Sequence, residues 1–322
     1  DGVMSRGLGD VYKRQVTPTR GNFSFYWFEQ LTSIQGNVEF ILVYPPGQAI
    51  REFSDSRIKV IISPYKGEVL QRAIGFLNVS GDYVIALDDD DFMHPEVIDL
   101  ITPYFELYPE SICLRLSKQS INYQDTESIE SAWDELPEVD KLIVVETKYD
   151  KEKYAKHEIL QELPISPLDN KFRVSSLWPY SKRTDQNGPH PENSNNRVWQ
   201  VNLIKESVED LLSFTQILGA LTRIPFWSLD RLLGLYLQAR IFQPGLIIGH
   251  WLHGGEQVRY IKAAPSTKGE TPRSYFAGDM LLALRFPKYG YFWNLFFYEM
   301  WVALKVFLRT RLSNLGKYFY SK

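Results

Sequence analysis

The sequence predicts an α/β protein, a mostly parallel, Rossmann-like sheet flanked by helices and followed by a C-terminal helical tail. Apolar runs of strand length, Val38–Tyr44, Ile58–Ser63 and Tyr83–Leu87, alternate with stretches of helical spacing, Phe25–Ile34, Glu68–Leu77 and Pro95–Tyr108. That alternation builds parallel strands joined by right-handed crossovers. Each run stops at turn residues, first Pro45-Pro46-Gly47, then Pro64, then Asp88. The third run, Tyr83-Val84-Ile85-Ala86-Leu87, reads as a fully buried strand and enters four consecutive carboxylates, Asp88 to Asp91.

Residues 1–15 carry Gly, Asp, Lys and Arg with neither alternation nor helical period, and are expected to be a non-native or disordered leader. Val16 is then what remains of the first strand. Thr17–Asn22 forms the turn at its carboxyl end, the edge at which open α/β sheets bind ligands. After Tyr108, Ser111–Asn122 alternates as one strand. Residues 124–200 are polar and broken by prolines, with one further strand at Leu142–Thr147, and 184–196 reads as a functional or disordered loop. Helical period returns over Val198–Leu221 and Arg231–Arg240. Tyr289–Arg311 predicts an amphipathic helix with Asn294, Tyr298, Lys305 and Arg309 on one side and Trp293, Phe296, Phe297, Met300, Leu304 and Phe307 opposite. Such a helix suits a membrane interface or docking on the rest of the chain or on a partner.

At 322 residues the chain is long enough for one large domain or two joined halves. Lys and Arg total 36 against 39 Asp and Glu, and this net charge of -3 gives no basis for a nucleic-acid partner. The single Cys113 excludes an internal disulfide framework and fits a reducing cytoplasm; between Ile112 and Leu114 it reads as a buried strand thiol. No Cys pair or His-Glu-x-x-His supports zinc. Four acidic side chains within one turn repel one another, and a divalent cation, magnesium or manganese, relieves that repulsion. The alternative is a solvated acidic turn that caps the following helix.

The order Gly81-Asp82-Tyr83, apolar strand, Asp88-Asp89-Asp90-Asp91, three residues, Pro95 resembles the nucleotide-sugar-binding half of family 2 glycosyltransferases, with the GT-A fold. The resemblance implies that Asp88 and Asp90 form the DxD motif that binds Mn2+ or Mg2+, with Asp88 and Asp89 at the donor's ribose and diphosphate. Leu70–Phe76 lies where the family has Ala-Arg-Asn-x-Gly, matched at Arg72 and Gly75 but not at Gln71 and Ala73. Val16–Asn22 resembles the family's first strand and nucleotide-cradling turn. Thr19, Arg20, Lys66 and Arg72 are therefore donor-binding candidates, although each cation also reads as an ordinary surface charge. Where the family reads the base with an Asp, Tyr44-Pro45-Pro46 stands instead, and Tyr44 is a candidate stacking surface.

Asp230 resembles the family's general base at a helix start, with Leu229 in place of the first acid of the usual Glu-Asp pair; it also reads as a charge that favours the helix dipole. Gly249–Gly255 resembles the family's Tyr-Arg-x-His-x-x-Ser segment and aligns His253 with its histidine, a contact to diphosphate or metal. These matches imply a metal-dependent, inverting transfer of sugar from a nucleotide-sugar to a glycan or lipid-linked acceptor. Residues 16–110 would bind donor, 111–265 acceptor, with 124–200 a loop-rich insertion. The tail, 266–322, would bring 289–311 into peripheral contact with the cytoplasmic face of a membrane. A nucleotidyltransferase of related fold and a non-catalytic sugar-binding or scaffold protein are the alternatives.

Overall fold

The structure, a computed structural model, describes residues 13–64, 68–155, 157–179, 183, 190–218, 229–262 and 275–320. The chain divides into two compact units, Asp1–Pro164 with Ser194–Asp210 and Gly245–Ala264, and Ile165–Asn193 with Leu211–Pro244 and Pro265–Lys322.

The first unit opens with β1 (Lys13–Pro18), α1 (Phe25–Ser33), β2 (Val38–Tyr44), β3 (Ile58–Ile62), α2 (Glu68–Leu77) and β4 (Tyr83–Ala86), the expected rhythm. β1 lies between β2 and β4 and is parallel to both, and β3 extends the sheet beyond β2. Phe40, Ile41, Leu42, Val43, Val84 and Ile85 are buried, each contributing roughly 1.5–3 kcal/mol relative to exposure. Ser24 caps α1 by accepting from the Trp27 backbone N–H at 3.0 Å. Gly75 lets α2 press on β1, since a Cβ there would stand 2.3 Å from Val16 Cγ1.

β1 begins at Lys13, three residues inside the segment expected to be leader. Lys13 and Gln15 are buried polar residues whose side chains donate to Thr102 Oγ1 and Thr17 Oγ1. Polar residues whose side chains find an acceptor inside the fold carry no strand signal in the sequence. Residues 1–12 lie outside the described residues.

The chain continues through β5 (Phe92–Met93), α3 (Val97–Leu107), β6 (Cys113–Arg115), β7 (Lys118–Asn122), α4 (Thr126–Glu130), β8 (Ile143–Val145), β9 (Ile159–Pro164), β10 (Arg197–Gln200), α5 (Val201–Leu218), α6 (Leu229–Ile241), β11 (Ile247–His253) and β12 (Val258–Lys262). Among the described residues the main sheet has nine strands in the order β3-β2-β1-β4-β10-β6-β11-β9-β8, and a smaller one has the order β5-β12-β7. The main sheet is mostly parallel; β10 runs antiparallel to β4 and β6, and β9 antiparallel to β11.

Three expectations are corrected here. Ser111–Asn122 is two strands in different sheets, parted where the Ser117 N–H turns to the Gln257 side chain at 2.7 Å. The segment from Val198 is first a strand and becomes helix only at Val201. The polar stretch 124–200 also holds β9, disguised by Gln161 and Glu162. Cys113 is buried, as expected, and burial pushes its thiol up to about 12. Tyr44 is fully buried in the core and is not available as a stacking surface.

The second unit is helical. It contains the C-terminal part of α5, α6, α7 (Phe276–Arg285) and α8 (Gly290–Tyr320). Leu232, Leu233, Leu235, Tyr236, Leu281, Leu282, Phe292 and Leu295 form its buried apolar surfaces. Within them lies a charge network in which Arg231 reaches Glu192 at 3.0 Å, Asp279 at 3.3 Å and Glu299 at 3.6 Å, while Arg183 also pairs with Glu192. Burial alone would raise Glu192, but hydrogen bonds from His190 and Arg183 and the Arg231 charge hold its carboxyl well below the usual range. Tyr291, Phe292, Leu295 and Glu299 are buried, so the first half of α8 is core. Of the two placements the sequence left open for this helix, the part as far as Trp301 takes the docked one. No helix among the described residues is long and apolar enough to cross a membrane.

Candidate active site

β4 carries the chain to the carboxyl edge of the sheet, where the Leu87 N–H donates to Val16 O at 3.1 Å and pairing with β1 stops. The next residues turn back, with the Asp91 N–H donating to Asp88 O at 3.3 Å. This turn gathers carboxylate oxygens of Asp88, Asp90 and Asp91 within 4.8 Å of one another. Hard oxygen donors this close suit a divalent cation such as Mn2+ or Mg2+.

Each acid has a different setting. Asp88 accepts from the buried Arg72 guanidinium at 2.6 Å, and Arg72 in turn is hydrogen-bonded to Asn195. Asp89 faces the turn after β1, accepting from Thr19 Oγ1 at 2.7 Å and the Arg20 N–H at 3.2 Å. Asp90 projects to solvent; desolvation in the crowded turn, then Asp88 and Asp89, raise its carboxyl to about 6. Asp91 is buried, accepts from the Ile261 N–H at 3.0 Å, and is pushed to about 8 by burial first and then by Asp88 and Asp90. Carboxyls raised by burial and then by neighbouring like charges are what an added cation neutralises.

The turn after β1 is itself held from below. Gln71 Nε2 donates to Thr19 O at 2.9 Å and to Val43 O at 2.6 Å, and the Gly21 N–H donates to Thr19 Oγ1 at 2.9 Å. The structure thus brings together Thr19, Arg20, Arg72, Asp88, Asp89 and Asp90. Sequence reasoning missed Asp91, Gln71 and Asn195. Asp91 had a local signal, as the fourth acid of the run, and Gln71 lay beside the matched Arg72. Asn195 had none, because it sits in a polar stretch far along the chain.

His253 is on β11, with β10 and β6 between that strand and β4. Its contacts are Gln161, whose Oε1 is 2.8 Å from Nε2, and the rings of Trp251 and Tyr149. Burial, and then Arg115 and Lys151, lower the imidazole to about 4. Asp230 stands in the first turn of α6, in the second unit, beside Arg231. Lys66 lies outside the described residues.

Residues 46–172 match the family model described as glycosyl transferase family 2. The match spans part of the chain, and that part includes β3 and β4 of the main sheet and the acidic turn at the end of β4. The matched segment contains Arg72 and the four acids but not Thr19, Arg20, Asp230 or His253.

Solved structures similar to this chain include S. aureus TarS 1-349 in complex with UDP-GlcNAc, at 11% identity and TM-score 0.48 over 85% of this chain and 66% of that one. TarS 1-349 in complex with UDP matches at 10% identity and TM-score 0.47, over 85% of this chain and 64% of that one. Full-length TarS matches at 10% and 0.46, over 85% of this chain and 39% of that one. This chain therefore spans less than two thirds of those proteins. A comparison with curated proteins gives no match.

Proposed function

We propose that the protein transfers a sugar from a nucleotide-sugar donor to a hydroxyl of a glycan or lipid-linked acceptor, with inversion at the anomeric carbon and with Mn2+ or Mg2+ as cofactor. The observation that carries this reading is the carboxylate group Asp88, Asp90 and Asp91 at the end of β4, inside the family-matched segment. Asp88 and Asp90, joined by Asp91, are the residues that would hold the cation. When bound, the cation offsets charge on the departing nucleoside diphosphate. Arg72 orients Asp88, and Thr19 with the Arg20 backbone fixes Asp89 against the turn beside which the nucleotide is proposed to lie. Asp230 is proposed as the base that takes the acceptor proton, on the resemblance of its helix start to the family's. Peripheral contact with a membrane is proposed for α8.

The test is a panel of nucleotide-sugars and nucleoside triphosphates, scored by thermal stabilisation with Mn2+ and with chelator, and then by donor hydrolysis. A ligand at about 100 times its Kd stabilises the folded protein by roughly 2.7 kcal/mol. Stabilisation by one nucleotide-sugar, dependent on Mn2+ and followed by its slow hydrolysis, is expected. A response to triphosphates alone would move the reading to nucleotidyl transfer. Binding without turnover for any acceptor would make the site non-catalytic.

A further inference from the structure

The face of α8 that docks the segment 171–178 does not end where that segment ends. Asn294 accepts from the Arg173 N–H at 2.8 Å and donates to Lys171 O at 3.1 Å. Phe297 meets Phe172 edge-on with ring centroids 5.9 Å apart, and Trp301 Nε1 donates to Leu177 O at 3.1 Å. Positions 294, 297 and 301 climb one face of a helix, and the same face continues through 304 and 308. There it is solvent-exposed, with Leu304 at 41%, Leu308 at 48% and the neighbouring Phe307 at 54% exposure. The docked segment adds apolar surface of its own, Val174 at 74% and Trp178 at 67%, with Phe172 and Leu177 also exposed.

Single exposed apolar residues are ordinary, but a group of them bordered by charge marks an interaction surface. The charge here has one sign. From Met300 to the last residue the sequence has Lys305, Arg309, Arg311, Lys317 and Lys322 and no acid, and the docked segment carries Lys171 and Arg173 without an acid. The chain as a whole is at -3, so the basic character is local. An aromatic and aliphatic surface with basic flanks matches the headgroup boundary of an anionic bilayer, where Trp sits at headgroup level and Lys or Arg meets phosphate.

We propose that Phe172–Trp178 and the exposed part of α8 after Trp301 form one docking surface for a bilayer of anionic phospholipid. Trp178, Val174, Leu304, Phe307 and Leu308 enter the boundary between headgroups and acyl chains. This rests on the membrane contact proposed above, and it names a second element, outside the helix, that carries it.

The experiment is co-sedimentation of the full chain with vesicles of phosphatidylcholine alone and of phosphatidylcholine mixed with phosphatidylglycerol. Binding to the mixed vesicles only, released by salt, is expected. The double variant Val174→Glu, Trp178→Glu should lose binding about tenfold or more, and Arg309→Gln about fivefold, since each basic residue near an anionic surface contributes about that factor. All three side chains are exposed, so the melting temperature should stay parental. The proposal is overturned if the parent stays in the supernatant with both vesicles, or if the double variant sediments like the parent. It is also overturned if the parent forms a dimer in light scattering that the double variant abolishes while neither binds vesicles. Nucleotide-sugar stabilisation is read on the same samples. Its loss with vesicle binding intact defeats the transfer reading alone, and the reverse defeats the membrane surface alone.

Discussion

The Arg72 guanidinium, 1% exposed, sits 2.6 Å from Oδ1 of Asp88, a half-open carboxylate at the edge of the sheet. A buried positive charge on α2 thus stands directly behind the first acid of the turn. Removing it leaves Asp88 beside Asp90 and Asp91 without its guanidinium partner. We expect Arg72→Ala to cost about 2 kcal/mol of stability, as a charged hydrogen bond does, and to weaken Mn2+-dependent donor binding at least tenfold. Arg72→Lys should recover only part of this, because the ammonium lacks the planar fork that reaches both Asp88 and Asn195. Parental melting temperature and parental donor affinity in Arg72→Ala would remove Arg72 from the site.

Thr19 Oγ1 both donates to Asp89 and accepts from the Gly21 N–H. Thr19→Val keeps the shape and deletes both bonds, which together are worth about 1–3 kcal/mol. The turn should loosen without unfolding. Steady-state kinetics should show a raised KM for the donor with kcat within a few-fold of the parent; an unchanged KM would show that Asp89 needs no tether.

His250 is 9% exposed, its Nδ1 is 2.9 Å from the Tyr104 hydroxyl, and burial lowers its imidazole from 6.5 to about 4. Because the folded value is depressed, the unfolded chain takes up the proton first as pH falls. The stability held by neutral His250 is full above about 6.5 and drains away as pH drops toward 4, by up to about 3 kcal/mol. Denaturant midpoints measured between pH 4 and 7 should fall on the acid side, and His250→Gln should flatten that slope. A midpoint rising toward acid would contradict the assignment.

Gly249 has φ +153°, and a Cβ built on it would lie 1.7 Å from the Cys113 carbonyl oxygen on β6. Backbone cannot yield as a side-chain tip can. Gly249→Ala should therefore part β11 from β6 and cost about 3 kcal/mol or more, the range of severe backbone and packing defects. Near-parental melting of this variant would mean that the two strands can separate freely.

Some of this architecture is written locally. Val38–Tyr44 and Tyr83–Leu87 are unbroken apolar runs beside turn residues, and no surface helix presents such a run, so their strands could be read directly. The acidic turn was readable for the same reason, four carboxylates at the end of a buried strand. Other strands were hidden by their own polar residues. β9 carries Gln161 and Glu162, β10 carries Arg197, and β12 carries Arg259, and each became a strand because a partner was waiting for its backbone N–H and C=O groups. The first three residues of β1 read as leader because Lys13 and Gln15 find their hydrogen bonds inside the fold.

By itself the sequence determined the α/β rhythm, the sheet edge at which the acids collect, and the helical character of the tail, since these depend on periods and turns spanning a few residues. Only the tertiary structure decided that Ser111–Asn122 parts into two sheets, that Asn195 reaches Arg72 across 123 positions of chain, and that Phe292, Leu295 and Glu299 of α8 are buried while Leu304 and Leu308 are exposed. The reason is one of range. A residue's period is set by its neighbours along the chain, whereas its burial and its partner are set by whichever distant surface leaves the fewest backbone groups and apolar faces in water.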